Sequence, residues 1–135
     1  MQRSIYFRLS LVVAVVLAAQ VAACGGDDGR TKKAAKWLKN YSQMNPPNGD
    51  WVTTSVKADS GDKVVMDVLV PYKQHVDQIK SRTKIEQAHI VTLACPPKDA
   101  EIWTILSSDQ MLWINLTART ESGLTEVLIG ASCKR

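Results

Sequence analysis

The residue types that could perform acid–base or metal chemistry are few and far apart in this 135-residue chain. Its two histidines, His75 and His89, lie in one segment of helical composition. At 1.5 Å per residue, a continuous helix would separate their imidazoles by about 21 Å. Asp77 and Glu86 lie in the same segment and are also too distant to act as a pair of catalytic carboxylates. The spacing therefore predicts surface histidines, with no metal site and no acid–base pair.

Motifs for nucleophilic or phosphoryl chemistry give no better candidate. Ser81-Arg82-Thr83-Lys84 superficially resembles the Ser-x-x-Lys motif of β-lactamases and penicillin-binding proteins, but those families need two further motifs and a much larger domain. The sequence has no Gly-rich phosphate loop, no Gly-x-Ser-x-Gly turn and no His-Glu-x-x-His pair. We therefore expect a protein that is not an enzyme and that holds no cofactor.

The first 23 residues have the pattern of an export signal. Residues 1–8 carry Arg3 and Arg8 without an acidic residue, and residues 9–23 are almost wholly apolar. A positive start followed by an apolar run of about 15 residues is typical of a secretory signal peptide, since a membrane-spanning helix needs roughly 20. The segment predicts export from the cytoplasm.

The residues Val21-Ala22-Ala23-Cys24 resemble the lipobox of bacterial lipoproteins, in which an aliphatic and two small residues precede an obligatory cysteine. The resemblance implies a diacylglyceryl group on the sulfur of Cys24, removal of residues 1–23, and usually a further acyl chain on the freed amine. Two or more acyl chains make a durable membrane anchor, so membrane lipid is the first partner implied. Val21 in place of the commoner Leu is a mild departure. An ordinary signal peptide that happens to be cleaved before a cysteine is the alternative.

The predicted organisation has three parts: a signal peptide at 1–23, lipidated Cys24 and a flexible Gly- and Asp-rich spacer at 24–30, and one small domain at 31–135. In Gram-negative lipoproteins, an Asp directly after the lipidated cysteine tends to retain the protein in the inner membrane. Gly25 occupies that position, so the resemblance implies the periplasmic face of the outer membrane. Loss of Arg3 and Arg8 would lower the formal net charge from +4 to +2. Near-neutrality and export argue against nucleic acid as a partner.

Two cysteines, Cys95 and Cys133, remain once Cys24 is assigned to lipid. An even number of cysteines in an exported protein predicts a disulfide. In the chain-entropy model, closing a loop of about 39 residues contributes about 4 kcal/mol. Two free buried thiols or a metal pair are the alternatives, although no further cysteine or histidine stands at zinc-ligand spacing.

A basic amphipathic helix is predicted over Thr31–Tyr41, with Ala34, Trp37, Leu38 and Tyr41 on one face. The opposite face carries four lysines: Lys32, Lys33, Lys36 and Lys39. These residues, with Trp37 and Tyr41 at the interface, could form a helix that lies on anionic lipid headgroups. The alternative is a helix packed on the domain with a solvated basic face, and both could hold in part.

The remaining pattern predicts an α+β domain with a mostly antiparallel sheet of about five strands, in the order α-β-β-α-β-β-β. Alternating apolar residues indicate strands at 51–58, 63–70, 111–119 and 124–133. Residues 72–94 form one bent helix, or two helices separated near a capping box at Thr83. Residues 101–107 favour a strand, with a short helix starting at Asp99 as the alternative.

Trp113 and Arg119 lie on the face of their strand opposite the core-facing residues. Tryptophan is common at protein interfaces, so this face could bind a partner. Alternatively, the N-terminal helix covers it, with Trp37 and Tyr41 packed against Trp113. We expect a non-enzymatic envelope lipoprotein that faces the periplasm as an accessory, assembly or partner-binding subunit. A small ligand-binding module or an inhibitor of an envelope enzyme is the second function class.

Overall fold

Two β-hairpins lie side by side in one sheet in the computed structural model, which describes residues 28–135. The strands are β1 (Val52–Asp59), β2 (Lys63–Leu69), β3 (Met111–Arg119) and β4 (Thr125–Ser132), in this order across the sheet. The helices are α1 (Asp28–Met44), α2 (Lys73–Lys80), α3 (Lys84–Val91) and α4 (Ile102–Ile105), and short 3₁₀ helices span Pro47–Gly49 and Thr92–Ala94. The predicted α+β class is confirmed.

The sheet is mixed and four-stranded, so the prediction of about five mostly antiparallel strands is only partly right. β1 and β2 pair antiparallel, as do β3 and β4, but the central strands β2 and β3 are parallel. A parallel pair needs a crossover connection, and α2, α3 and α4 supply it. Alternation of apolar residues identifies a strand but does not state the direction of its neighbour, which is why the sequence did not predict the parallel pair.

The predicted strand at residues 101–107 is wrong, because this segment contains α4. Ile102, Ile105 and Leu106 are all buried, at the i, i+3, i+4 spacing of one helix face. The indole Nε1 of Trp103 donates a hydrogen bond to the carbonyl of Pro97 (2.7 Å). Burial of these side chains outweighs the strand preference of Ile, Trp and Thr, which depends strongly on context. The element order is therefore α-β-β-α-α-α-β-β.

The segment 72–94 contains two helices, and the break comes where the capping box was predicted. The hydroxyl of Thr83 accepts a hydrogen bond from the backbone N–H of Glu86, and the Glu86 carboxylate accepts one from the backbone N–H of Thr83. The buried amide of Gln87 donates to the carbonyls of Ile79 (2.9 Å) and Arg82 (3.1 Å). One side chain of α3 thus satisfies carbonyls at and just beyond the C-terminus of α2, which holds the two helices at a fixed junction.

All four helices pack on the same face of the sheet. Across the central pair of strands, Val64 lies opposite Leu112, Met66 opposite Ile114, and Val68 opposite Leu116. These six side chains are almost completely buried, together with residues from each helix: Ala34 and Leu38 of α1, Ile79 of α2, Val91 of α3, and Ile102 and Ile105 of α4. The N-terminal helix therefore covers the core face and not the face that carries Trp113.

The predicted disulfide is confirmed. Cys95 and Cys133 are bonded, with an S–S distance of 2.01 Å and Cα atoms 5.7 Å apart. Cys95 directly follows the 3₁₀ helix after α3, and Cys133 directly follows β4. Cys133 is 8% exposed and belongs to the core. The bond ties the crossover connection to the end of the last strand.

The signal peptide, the lipobox and Cys24 lie outside the described residues. Helix α1 begins at Asp28, so the last three residues of the predicted spacer at 24–30 are helical. Among the helices of residues 28–135, none is long and apolar enough to span a bilayer.

Candidate functional site

The lysines of the predicted membrane-surface helix are all exposed. Lys32, Lys33, Lys36 and Lys39 project from the side of α1 that faces away from the sheet. None of them forms an ion pair within residues 28–135. The lysine face is therefore a continuous basic surface beside the start of the described chain.

The two aromatic residues predicted with these lysines point elsewhere. The rings of Trp37 and Tyr41 stack with centroids 4.7 Å apart and an interplanar angle of 12°. The indole Nε1 of Trp37 donates to a carboxylate oxygen of Glu101, which precedes α4 (3.1 Å). Both rings are half-buried at the flank of α1, so the aromatic pair anchors this helix to the domain.

The sheet face that carries Trp113 has no helix of residues 28–135 packed on it, and we call it the open face. Its central residues are Val65 and Asp67 of β2, Trp113 and Asn115 of β3, and Gly130 of β4. Val65 is buried, whereas Asp67, Trp113 and Asn115 are half-buried. The open face therefore has an apolar centre beside a set of polar groups.

A chain of side-chain hydrogen bonds crosses the open face. The indole Nε1 of Trp113 donates to Oδ1 of Asn115 (2.8 Å), and Nδ2 of Asn115 donates to Oδ1 of Asp67 (2.8 Å). Asp67 and Asn115 are also register partners across the parallel pair. These hydrogen bonds hold the indole in one orientation, because its N–H donates to an amide that the bond to Asp67 orients in turn.

Gly130 provides the space in which the indole lies. A β carbon built on Gly130 would lie 2.6 Å from Oδ1 of Asn115 and 2.7 Å from Nε1 of Trp113, closer than real β carbons approach. Neither Gly130 nor the Asn115–Asp67 pair was among the site residues predicted from the sequence. A glycine inside a strand signals a close approach by another group, and that signal could have found the site.

Arg119, predicted to share a surface with Trp113, lies at the far end of β3. The two residues are six positions apart, which corresponds to about 20 Å along a strand. Arg119 lines a separate surface groove with residues of α2 and the β3–β4 turn, including Asp77, Lys80 and Glu121. The structure does not bring Trp113 and Arg119 together.

The histidines lie on different helices. His75 of α2 meets the ring of Tyr72 edge-on, with centroids 5.4 Å apart, whereas His89 of α3 is exposed. The buried Nδ1 of His75 has no hydrogen-bond partner within residues 28–135. No group of three His, Cys, Asp or Glu side chains in this part of the chain could hold a metal ion.

The shifted pKa values come from local pairs of surface residues. A hydrogen bond from Lys63 lowers the pKa of Asp59, one to Asp77 raises that of Lys73, and one from Ser107 lowers that of Asp109. The backbone N–H and hydroxyl of Thr83 lower the pKa of Glu86. Each partner lies two to four residues away in the chain, so these shifts do not mark a cluster of convergent titratable groups.

No protein-family model, curated protein or solved structure matches this chain.

Proposed function

We propose that this chain is a lipid-anchored, non-enzymatic protein of the bacterial envelope, whose domain faces the periplasm and binds a partner protein. The lipobox Val21-Ala22-Ala23-Cys24 supports the anchor, and Gly25 after it supports the outer membrane. The disulfide between Cys95 and Cys133 is consistent with this location, because disulfides persist in oxidising compartments and are rare in the cytosol.

The position of α1 supports close contact between the domain and the membrane. Only residues 25–27 separate Cys24 from Asp28, the first residue of α1. Even in a fully extended chain, the Cα atoms of Cys24 and Asp28 are at most about 14 Å apart. A lipid on Cys24 would therefore hold α1 near the headgroups, where exposed lysines are favourable on anionic lipid.

The observation that carries the binding role is the fixed orientation of Trp113 on the open face. Tryptophan side chains are frequent hot spots of protein interfaces, because they bury a large area at little conformational cost. Trp113 is already held by Asn115 above Gly130 and would lose little freedom on binding. An envelope protein with a complementary apolar pocket is the partner that this surface fits.

Site-specific photocrosslinking in intact cells tests the proposal. A photoreactive residue at Met111, which lies on the open face and is 43% exposed, is expected to crosslink one envelope protein reproducibly. The matched control is the same residue at Ser122, in the exposed β3–β4 turn. Trp113→Ala should abolish the Met111 product. Equal products from Met111 and Ser122, or a product insensitive to Trp113→Ala, would contradict the proposal.

A further inference from the structure

A groove runs between α3 and β4, at the edge of the sheet remote from α1. It has a volume of about 700 Å³. Its walls include Ile85 and Ala88 of α3, Lys98 after the prolines that follow Cys95, and Ala131, Ser132 and Lys134 at the end of β4. We call it the α3–β4 groove.

The edge of β4 along this groove has no strand paired with it in residues 28–135. The backbone N–H of Cys133 donates to the carbonyl of Leu112, so this residue and Ala131, two positions earlier, direct their backbone groups toward β3. Gly130 and Ser132 alternate with them. Their N–H and C=O groups therefore point away from the sheet, as the groups of an unpaired edge do.

The groove combines an apolar wall with positive charge. Ile85 of α3 is 85% exposed, the highest value among the large apolar residues described. Lys98 and Lys134 line the groove, and neither forms an ion pair within residues 28–135. No Asp or Glu is among the lining residues. Apolar and basic groups beside a free strand edge are complementary to an extended segment with apolar and acidic side chains.

We propose that the α3–β4 groove binds an extended, acidic segment of a partner protein, which adds to the sheet as a fifth strand beside β4. The backbone of Gly130 and Ser132 pairs with the segment. Its apolar side chains pack on Ile85 and Ala88 of α3, and its carboxylates face Lys98 and Lys134. Strand addition of this kind takes affinity from main-chain hydrogen bonds and specificity from alternate side chains.

A second copy of this chain fits the groove less well. Edge-to-edge pairing of two β4 strands would bring two basic grooves together, and like charges that face one another across paired strands are destabilising. The proposal is independent of the lipid anchor and of the open face, which lies on the other side of the sheet from α3.

A displayed library of random nonapeptides, panned against the purified full-length protein in detergent micelles, tests the proposal. Selected peptides should contain both apolar residues and Asp or Glu. Ile85→Glu and Lys134→Glu should each weaken binding of these peptides at least tenfold. The matched controls, Leu124→Glu and Lys36→Glu, change exposed residues away from the groove and should leave binding unchanged.

Methylation of backbone nitrogens in the selected peptides provides a second test. It distinguishes strand pairing from binding through side-chain contacts alone. In a bound strand, alternate N–H groups face β4 and the others face solvent. Methylating one alternate set of peptide nitrogens should abolish binding, and methylating the other set should not. The proposal would be overturned if methylation of neither set abolished binding. It would also be overturned if the selected peptides lacked acidic residues, or if they still bound the Ile85→Glu and Lys134→Glu variants. Concentration-dependent dimerisation that the peptides abolish would show instead that a second copy occupies the groove.

Discussion

Trp113 and Gly130 fit together only because position 130 has no side chain. A β carbon there would lie 2.7 Å from Nε1 and 3.0 Å from Cε2 of the indole. The two residues lie on neighbouring strands, two positions out of register, since Gly130 pairs with Asn115. The orientation of the indole on the open face thus depends on a glycine that belongs to another strand.

Gly130→Ala should displace the indole and destabilise the domain by ~1–3 kcal/mol, the usual cost of inserting a methyl group into a packed site. Urea unfolding measures the free energy, and the resonance of the Trp113 indole N–H reports its hydrogen bond to Asn115. Ser132→Ala, at an exposed neighbouring position, is the control and should change neither. Unchanged stability and indole resonance in Gly130→Ala would show that the indole does not need this space.

Cys24→Ser should release the protein from the membrane without unfolding it, because Cys24 lies outside residues 28–135 and their core. Membrane fractionation measures the release, and circular dichroism measures the fold. Cys95→Ser, which alters a cysteine within the domain, should stay in the membrane fraction. Finding Cys24→Ser still in that fraction after a high-salt wash, which removes electrostatic binding to lipid, would refute the lipid anchor.

Replacing Lys32, Lys33, Lys36 and Lys39 with glutamine should weaken binding of the Cys24→Ser protein to vesicles that contain anionic lipid. Each lysine near such a surface contributes about 1 kcal/mol at moderate ionic strength. Vesicle co-sedimentation measures binding, and neutral vesicles are the control. If the parent protein binds neither type of vesicle, α1 serves only to pack on the sheet.

Removing the disulfide by changing both Cys95 and Cys133 to serine should cost about 4 kcal/mol in the free energy of unfolding, given their separation of 38 residues. Urea unfolding of the oxidised, reduced and doubly substituted proteins measures the loss. The reduced and substituted proteins should agree. Detection of two free thiols in protein isolated from cells would contradict formation of the bond in the cell.

The capping box predicts a pH dependence. Hydrogen bonds from Thr83 lower the pKa of Glu86 below its ordinary value of 4.5, so the ionised carboxylate stabilises the folded state. That contribution is fully present above the unfolded-state pKa and is lost as the pH falls through the lowered folded-state pKa. The stability difference between the protein and its Glu86→Gln variant, measured by urea unfolding, should therefore shrink below about pH 4.5. A difference that grows on acidification would contradict this assignment.

Sequence patterns predicted the parts of the fold that depend on interactions between residues close together in the chain. The strand predicted from alternation at Met111–Arg119 has the same first and last residues as β3. The Thr83 capping box marks the start of α3. Asp59-Ser60-Gly61-Asp62 forms the predicted β1–β2 turn, in which Ser60 and Gly61 have positive φ values.

The features that local patterns could not predict all depend on contacts between distant segments. The parallel pairing of β2 and β3 sets the sheet topology, yet neither strand differs in pattern from an antiparallel one. Residues 102–105 form helix α4, although their types favour a strand, because the helix buries Ile102 and Ile105. The α3–β4 groove joins three separate segments, and no spacing within any one of them indicates a cavity.

The strand order has a consequence for how the molecule could work between two partners. Helix α1 packs mainly on β1, at one edge of the sheet, whereas α3 packs on β4, at the other edge. Three strand spacings separate these edges, or about 14 Å. A membrane bound at α1 and a polypeptide bound at β4 would thus contact opposite edges of one sheet, and neither would obstruct the other. The sheet would then fix the distance between the lipid surface and the bound strand.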